Sequence, residues 1–142
     1  MNRTVTRRVG IRILALLLAP LLIVGCDTIL TSEYPYGEEF DLQYGKSALV
    51  GGEVLVRFIG VVNDSRCPVD VECVWEGNAE IELEIRRTGG DAKRIRLNTH
   101  SSFPQQLVVD GITVRLVDLT PHPDTRVTID PKEYVARLVV TR

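Results

Sequence analysis

Apolar and polar residues alternate with a period of two along most of the chain after residue 40, which is the spacing of β-strands with one buried face. The clearest run covers residues 79–85, where three glutamates separate four apolar residues. Residues 54–62 become apolar at consecutive positions in their second half, which predicts a central strand. A last alternating run occupies residues 134–140. The pattern predicts a domain built of strands.

Turn signals separate these runs. Asp110-Gly111 lies between two β-branched segments and is the strongest hairpin signal in the chain. A second hairpin is predicted at residues 88–91, and it places Arg94 and Arg96 opposite the glutamates of the preceding run. Such cross-strand pairs are favourable, but exposed pairs stabilise a fold little.

The fold class follows from these patterns. No segment after residue 25 has the 3.6-residue period of an amphipathic helix. A chain of 142 residues holds one domain and some additional segment, and 44% hydrophobic with 25% charged residues is typical of a globular protein. We therefore expect an all-β domain over residues 40–142, an antiparallel β-sandwich or Greek-key barrel of about seven to eight strands.

Residues 1–25 have a different composition. They contain four arginines and no acidic residue, and the arginines precede an apolar run at residues 13–24. A run of that length spans about 18 Å as a helix, which is too short for a bilayer core of about 30 Å. A basic segment followed by a short apolar one is typical of a secretory signal peptide.

The apolar run ends in the letters IVGC, residues 23–26, which resemble the lipobox of bacterial lipoproteins. The resemblance implies that cleavage follows Gly25 and that Cys26 becomes the acylated N-terminus. We therefore expect a signal peptide at residues 1–25, and a lipidated N-terminus and tether at residues 26–39. The alternative is an ordinary export signal in which the cysteine is incidental.

The expected tether lacks a clear period and is rich in acids. Its alternative interpretation is a first edge strand around Tyr34 and Tyr36, because terminal segments often dock onto sheets. Several acyl chains on Cys26 would hold the protein stably on a membrane. The sequence leaves open whether that membrane is the inner or the outer one.

The chain after residue 25 is acidic, with 13 basic against 19 acidic residues and a charge of about −6. Nucleic acid is therefore an unsuitable partner, since phosphate binding needs a basic face. The sequence contains none of the local motifs of serine hydrolases, zinc proteases or phosphate-binding loops. We expect a non-catalytic domain without a cofactor.

With Cys26 acylated, Cys67 and Cys73 form an even pair in an exported protein, which predicts a loop disulfide. The alternative is a metal pair. Zinc-binding cysteines usually lie closer together and have further partners, and only His100 and His122 are available here. The second functional hypothesis is accordingly a periplasmic metal-binding or metal-delivery protein that uses these histidines.

The stretch DSRCP at residues 64–68, followed by Cys73, Trp75 and Gly77 in a C-x-W-x-G pattern, leads into the alternating strand at residues 79–85. This loop resembles that of a group of small bacterial lipoproteins. The resemblance covers most of the chain when the lipobox and the strand pattern are included. The resemblance implies a lipid-anchored protein of the cell envelope, and it does not indicate a biochemical activity.

The same loop has a structural interpretation. We expect Trp75 to close one end of the sandwich against the disulfide, Arg66 to pair with nearby acids, and Gly77 to bend the chain into the next strand. The alternative makes Arg66 and Trp75 an exposed binding patch for an envelope protein or a glycan. The loop carboxylates lack the regular spacing of a calcium site. The function expected is a membrane-anchored lipoprotein whose domain binds or supports a partner.

Overall fold

A computed structural model describes residues 31–142. The expected signal peptide and Cys26 lie outside these residues. The described part of the chain forms nine strands and one short 3₁₀ helix, Pro131–Glu133. The strands are β1 Ser32–Tyr34, β2 Glu39–Gln43, β3 Ser47–Val50, β4 Val54–Asp64, β5 Ala79–Arg87, β6 Lys93–Asn98, β7 Gln106–Val109, β8 Ile112–Thr120 and β9 Val135–Thr141.

The strands form two sheets that enclose one core. The five-stranded sheet has the order β1-β3-β4-β5-β6, and the four-stranded sheet has the order β2-β9-β8-β7. All neighbours are antiparallel except β1 and β3, which are parallel. Phe58 and Leu83 of one sheet and Leu116 and Leu138 of the other belong to a single cluster of buried side chains. The all-β prediction is confirmed, and the architecture is a sandwich.

Particular strands also match their sequence patterns. β4 is the middle strand of its sheet, as its apolar second half predicts, and it carries register shifts between Phe58 and Gly60 and between Val61 and Asn63. The hairpin between β7 and β8 turns at Asp110-Gly111. Both residues have positive φ, which a two-residue turn of type I′ requires.

The predicted charge pairs line the outer face of β5 and β6. Arg94 and Arg96 each contact two of the glutamates of β5, at distances of 3.4 to 3.9 Å. The arginine side chains are exposed, so these pairs add little to stability and serve mainly to hold the edge of the sheet in register.

The start of the domain differs from the prediction. Ser32–Tyr34 form β1, an edge strand paired with β3, so the alternative interpretation of this segment is correct for those residues and they are not part of a tether. The ring of Tyr34 stacks on Phe40 with centroids 4.6 Å apart. This contact buries aromatic surface that three residues of backbone pairing alone would leave exposed.

Glu53, in the turn between β3 and β4, binds three residues from distant parts of the chain. Its carboxylate accepts a hydrogen bond from the hydroxyl of Tyr36 at 2.9 Å, from the guanidinium of Arg87 at 3.0 Å, and from Arg142. The guanidinium of Arg142 also lies over the ring of Tyr36, 4.5 Å from its centroid. The hydrogen bonds from Tyr36, Arg142 and Arg87 lower the pKa of Glu53 from 4.5 to about 2.

The lowered pKa of Glu53 predicts how the stability of the domain changes in acid. Since the folded-state pKa lies below the unfolded one, Glu53 stabilises the fold fully above about pH 4.5, and this stabilisation is lost as the pH falls toward 2. Thermal unfolding of Glu53→Gln between pH 2 and 6 should therefore show a shallower loss of melting temperature than the parent. Glu38→Gln is the control, because the side chain of Glu38 is exposed and makes no hydrogen bond or ion pair with another side chain of residues 31–142. Parallel pH profiles of parent and Glu53→Gln contradict the prediction.

Candidate functional site

Three connections meet at one end of the sandwich, which we call the loop end. They are the cysteine loop between β4 and β5 (residues 65–78), the connection between β6 and β7 (residues 99–105), and the connection between β8 and β9 (residues 121–134). Hydrogen bonds join the first connection to each of the other two. The charged and aromatic residues singled out by the sequence lie here.

A disulfide and backbone hydrogen bonds fix the stem of the cysteine loop. Cys67 and Cys73 are bonded, with Cα atoms 5.9 Å apart, which confirms the predicted disulfide. The amide of Ser65 donates to the carbonyl of Asn78 at 2.8 Å, and that of Cys67 donates to the carbonyl of Glu76 at 2.9 Å. The two limbs of the loop therefore continue the pairing of β4 with β5 beyond the end of the sheet.

Gly77 allows the two limbs to approach this closely. Its φ is +72°, and a Cβ at this position would lie 1.9 Å from the carbonyl oxygen of Ser65. Any other residue would have to push the limbs apart in addition to adopting a strained backbone conformation. The predicted bend at Gly77 is present, and the close approach of the backbone explains why glycine occupies it.

Arg66 points inward and links the two sheets. Its side chain is only 7% exposed. The guanidinium donates to both carboxylate oxygens of Asp64, at 2.9 and 2.7 Å, and to the carbonyl oxygens of Leu119 and, at 2.8 Å, Pro121. From the connection between β8 and β9, the hydroxyl of Tyr134, which directly precedes β9, donates to Asp64 at 3.0 Å. The end of β4 is thereby bound to the end of β8 and to the start of β9.

The charges of this pair are compensated within the fold. Burial by itself raises the pKa of Asp64, but the hydrogen bonds from Arg66 and Tyr134 outweigh it, so the pKa lies below its ordinary value. The pKa of Tyr134 is raised, first by burial and then by its hydrogen bond to the carboxylate. Asp64 is consequently a carboxylate at neutral pH, and its negative charge depends on Arg66 for compensation.

The position of Trp75 differs from the prediction. It was expected to be buried against the disulfide, yet it is 81% exposed, and its neighbour Val74 is 94% exposed. The reason is that Arg66 and Tyr134 already close this end of the core, while the limb that carries Trp75 pairs with the Cys67 limb beyond it. Because Arg66 is buried and Trp75 is exposed, these two residues do not form one binding patch.

Further apolar side chains accompany Trp75. Val69 and Val71, on the same loop, are exposed, and so is Val127 on the connection between β8 and β9. The two loops are bonded to each other: the amide of Val69 donates to the carbonyl of Pro123 at 2.9 Å, and the carboxylate of Asp70 accepts from the amide and the hydroxyl of Thr125. Sequence reasoning missed these valines, because they lie in segments without a period and their exposure depends on how the two loops meet.

A cavity of about 340 Å³ lies beside the loop, between its stem and the ends of β6 and β8. His100 and His122 both line it, so the fold brings together two histidines that are far apart in sequence. The backbone amide of His100 donates to the side-chain oxygen of Asn78 at 3.1 Å, and Nδ1 of His100 accepts from the amide of Ser102 at 3.1 Å.

Each histidine lies near one carboxylate. Nε2 of His100 is 3.9 Å from Glu76, and Nε2 of His122 is 3.8 Å from Asp118. Within residues 31–142, no three His, Cys, Asp or Glu side chains are grouped closely enough to hold a metal ion. The cysteine sulfurs are bonded to each other and are not available as thiolate ligands. The donors therefore form two separate pairs at the rim of one cavity.

These features define a class of protein: a two-sheet β-sandwich whose loop end carries a disulfide-closed loop with exposed apolar residues. Comparison of the chain with protein-family models, with curated proteins and with solved structures gives no match.

Proposed function

We propose that the protein is a bacterial lipoprotein, anchored in the cell envelope through Cys26, whose sandwich is a non-catalytic domain that binds a partner. The observation that carries the proposal is the Cys67–Cys73 disulfide. Disulfides persist in oxidising compartments outside the cytoplasm, so it supports export. Only Cys26 then remains of the three cysteines, and it is the residue that ends the lipobox-like sequence.

The distance from anchor to domain supports a position close to the membrane. Five residues lie between Cys26 and Ser32, the first residue of β1. Even fully extended, the chain from Cys26 to Ser32 spans no more than about 22 Å. The sandwich is thus held within about one domain diameter of the bilayer, where its partner is a protein or glycan of the envelope. Residues 31–142 contain no helix that is long and apolar enough to cross a membrane.

The arrangement of polar groups supports a binding role over a catalytic one. Asp64, Arg66 and Asp70 are engaged in bonds that fix the loops, and Asn78 is engaged in positioning the connection after β6. A polar framework of this kind holds a loop in one shape, and a fixed loop binds with a smaller loss of conformational entropy.

Lipidation is tested on the full chain. We expect the parent protein to sediment with membranes and to require detergent for release, and its N-terminal peptide to begin at Cys26 with a mass raised by diacylglyceryl and acyl groups. The Cys26→Ala variant should lose both properties. A Cys67→Ala/Cys73→Ala variant is the matched control, since it removes two cysteines and should remain lipidated. An unmodified N-terminus, or a Cys26→Ala protein that stays membrane-bound, contradicts the proposal.

A further inference from the structure

Exposed apolar side chains are concentrated at the loop end. Within residues 31–142, nine large hydrophobic side chains are exposed, and five of them lie on the cysteine loop and on the connection between β8 and β9. We call these five residues the apolar tip: Val69, Val71, Val74, Trp75 and Val127. Scattered exposed residues are ordinary, but such a concentration on two adjoining loops is typical of an interaction surface.

The apolar tip is held in place. The disulfide closes the loop, the Asp70–Thr125 hydrogen bonds tie it to the neighbouring connection, and buried Arg66 fixes its base. Collapse of the tip onto the core is prevented, because Arg66 and Tyr134 already occupy the space beneath it. The surface is therefore preorganised for docking onto a partner.

The charges around the tip restrict what can cover it. Residues 67–77 contain Asp70, Glu72 and Glu76 and no basic residue. Arg126, next to Val127, is exposed, but it pairs with Asp124 and lies 3.9 Å from Asp70, so the surroundings of the tip remain acidic. The carboxylate of Glu76 is almost fully exposed. An anionic bilayer surface would be repelled by these acids. Four of the five tip residues are valines, which offer neither a ring for stacking on a sugar nor a side-chain hydrogen bond, so the tip suits an apolar protein pocket better than a glycan.

We propose that the apolar tip docks into an apolar pocket, rimmed by lysine or arginine, on a partner protein of the envelope. This inference rests on the proposed function, since it names the chemistry of the partner that a lipid-anchored binding domain would take. Trp75 and Val74 supply the apolar contact, as aromatic residues often do at the centre of interfaces. Glu72 and Glu76 face the basic rim and favour the correct partner over others.

The first experiment places a photo-crosslinking amino acid in the full chain in its native membrane, at position 75 or, as a control, at position 108. Val108 is also apolar and 72% exposed, but it lies on β7 next to the hairpin at the opposite end of the sandwich. We expect a crosslink at position 75 to one protein, identified by mass spectrometry and absent at position 108. Equal products at both positions, or crosslinks only to lipid or glycan, overturn the inference.

The second experiment measures binding of that identified protein, purified, to the detergent-extracted chain. Trp75→Ala, and separately Glu72→Lys/Glu76→Lys, should each weaken binding at least tenfold, and raising the salt concentration should weaken binding of the parent. Val108→Ser should bind as the parent does. Tip variants that bind as tightly as the parent overturn the inference.

Two other occupants are tested with the same chain. Trp75 is the only tryptophan, so its fluorescence reports on the tip directly. A blue shift of the Trp75 fluorescence on adding phosphatidylcholine vesicles, relative to detergent alone, would assign the tip to the bilayer. A dimer of the chain that Trp75→Ala dissociates would assign the tip to a second copy. Either result overturns the inference. If the parent protein carries the lipid on Cys26 but its tip binds no partner protein, only this inference is refuted. If Cys26 is unmodified, the proposed lipid anchor is refuted.

Discussion

Replacing Arg66 with methionine is expected to lower the free energy of unfolding by about 3 to 5 kcal/mol, because it leaves a buried carboxylate without its counter-charge. Methionine fills similar space but cannot donate to Asp64 or to the carbonyls of Leu119 and Pro121. For a domain of this size the melting temperature should fall by more than about 10 °C. Urea and thermal unfolding of the folded domain at pH 7 measure the change.

The matched control is Arg86→Met. Arg86 is exposed on β5 and makes no ion pair or side-chain hydrogen bond within residues 31–142, so its replacement should change stability by less than about 0.5 kcal/mol. The Arg66→Met defect should also shrink in acid. Without Arg66, burial raises the pKa of Asp64, so the carboxyl group is protonated, and its uncompensated charge removed, before the pH reaches the ordinary range of that pKa. A stability within about 1 kcal/mol of the parent at pH 7 contradicts the buried-pair account.

The strands were predictable because their signals are local. Alternation along residues 79–85 and the Asp110-Gly111 turn each involve neighbours in sequence, and the structure contains both. The Cys67–Cys73 bond was predictable for a similar reason, since a short separation and the modification expected at Cys26 left one pairing. Signals of this kind need no knowledge of how the two sheets face each other.

The candidate site was predictable only in part, because its geometry depends on contacts between the sheets. Arg66 donates hydrogen bonds to Leu119 and Pro121, more than fifty residues away, and no local sequence pattern predicts these contacts. Once Arg66 and Tyr134 closed the core, Trp75 had no buried position left, so the rule that large aromatics are buried failed there. The same topology places His100 and His122 on one cavity, which their sequence separation could not reveal.

The edge strand β1 could not be predicted from the sequence for a different reason. Three residues are too few to show an alternating period, and the strand pairs in parallel with β3 across the intervening β2 segment. Its stability comes from the stacking of Tyr34 on Phe40 and from the bond between Tyr36 and Glu53, both of which need the folded domain. Short edge strands of this kind depend on tertiary contacts more than on sequence propensity.

Removing the disulfide is expected to destabilise the domain by about 2 kcal/mol and to lower its melting temperature by roughly 10 °C. The loop that it closes is short, so the entropy removed from the unfolded chain is modest. The remaining bonds of the stem and the buried Arg66 should keep the Cys67→Ala/Cys73→Ala variant folded at room temperature.

The disulfide prediction has an internal control. Adding a reductant to the parent should bring its melting temperature down to that of the double variant, while the variant should not respond. Hydrogen exchange should increase most at the amides of Val69 and Thr125, because the bridge fixes the loop locally. Amides in the core of β8 should exchange faster only by the factor that the lower global stability accounts for. A double variant that melts within a degree or two of the parent, or free thiols in the native protein, contradicts the bridge as a structural constraint. The apolar tip would then rely on the Asp70–Thr125 bonds and Arg66 alone for its fixed shape.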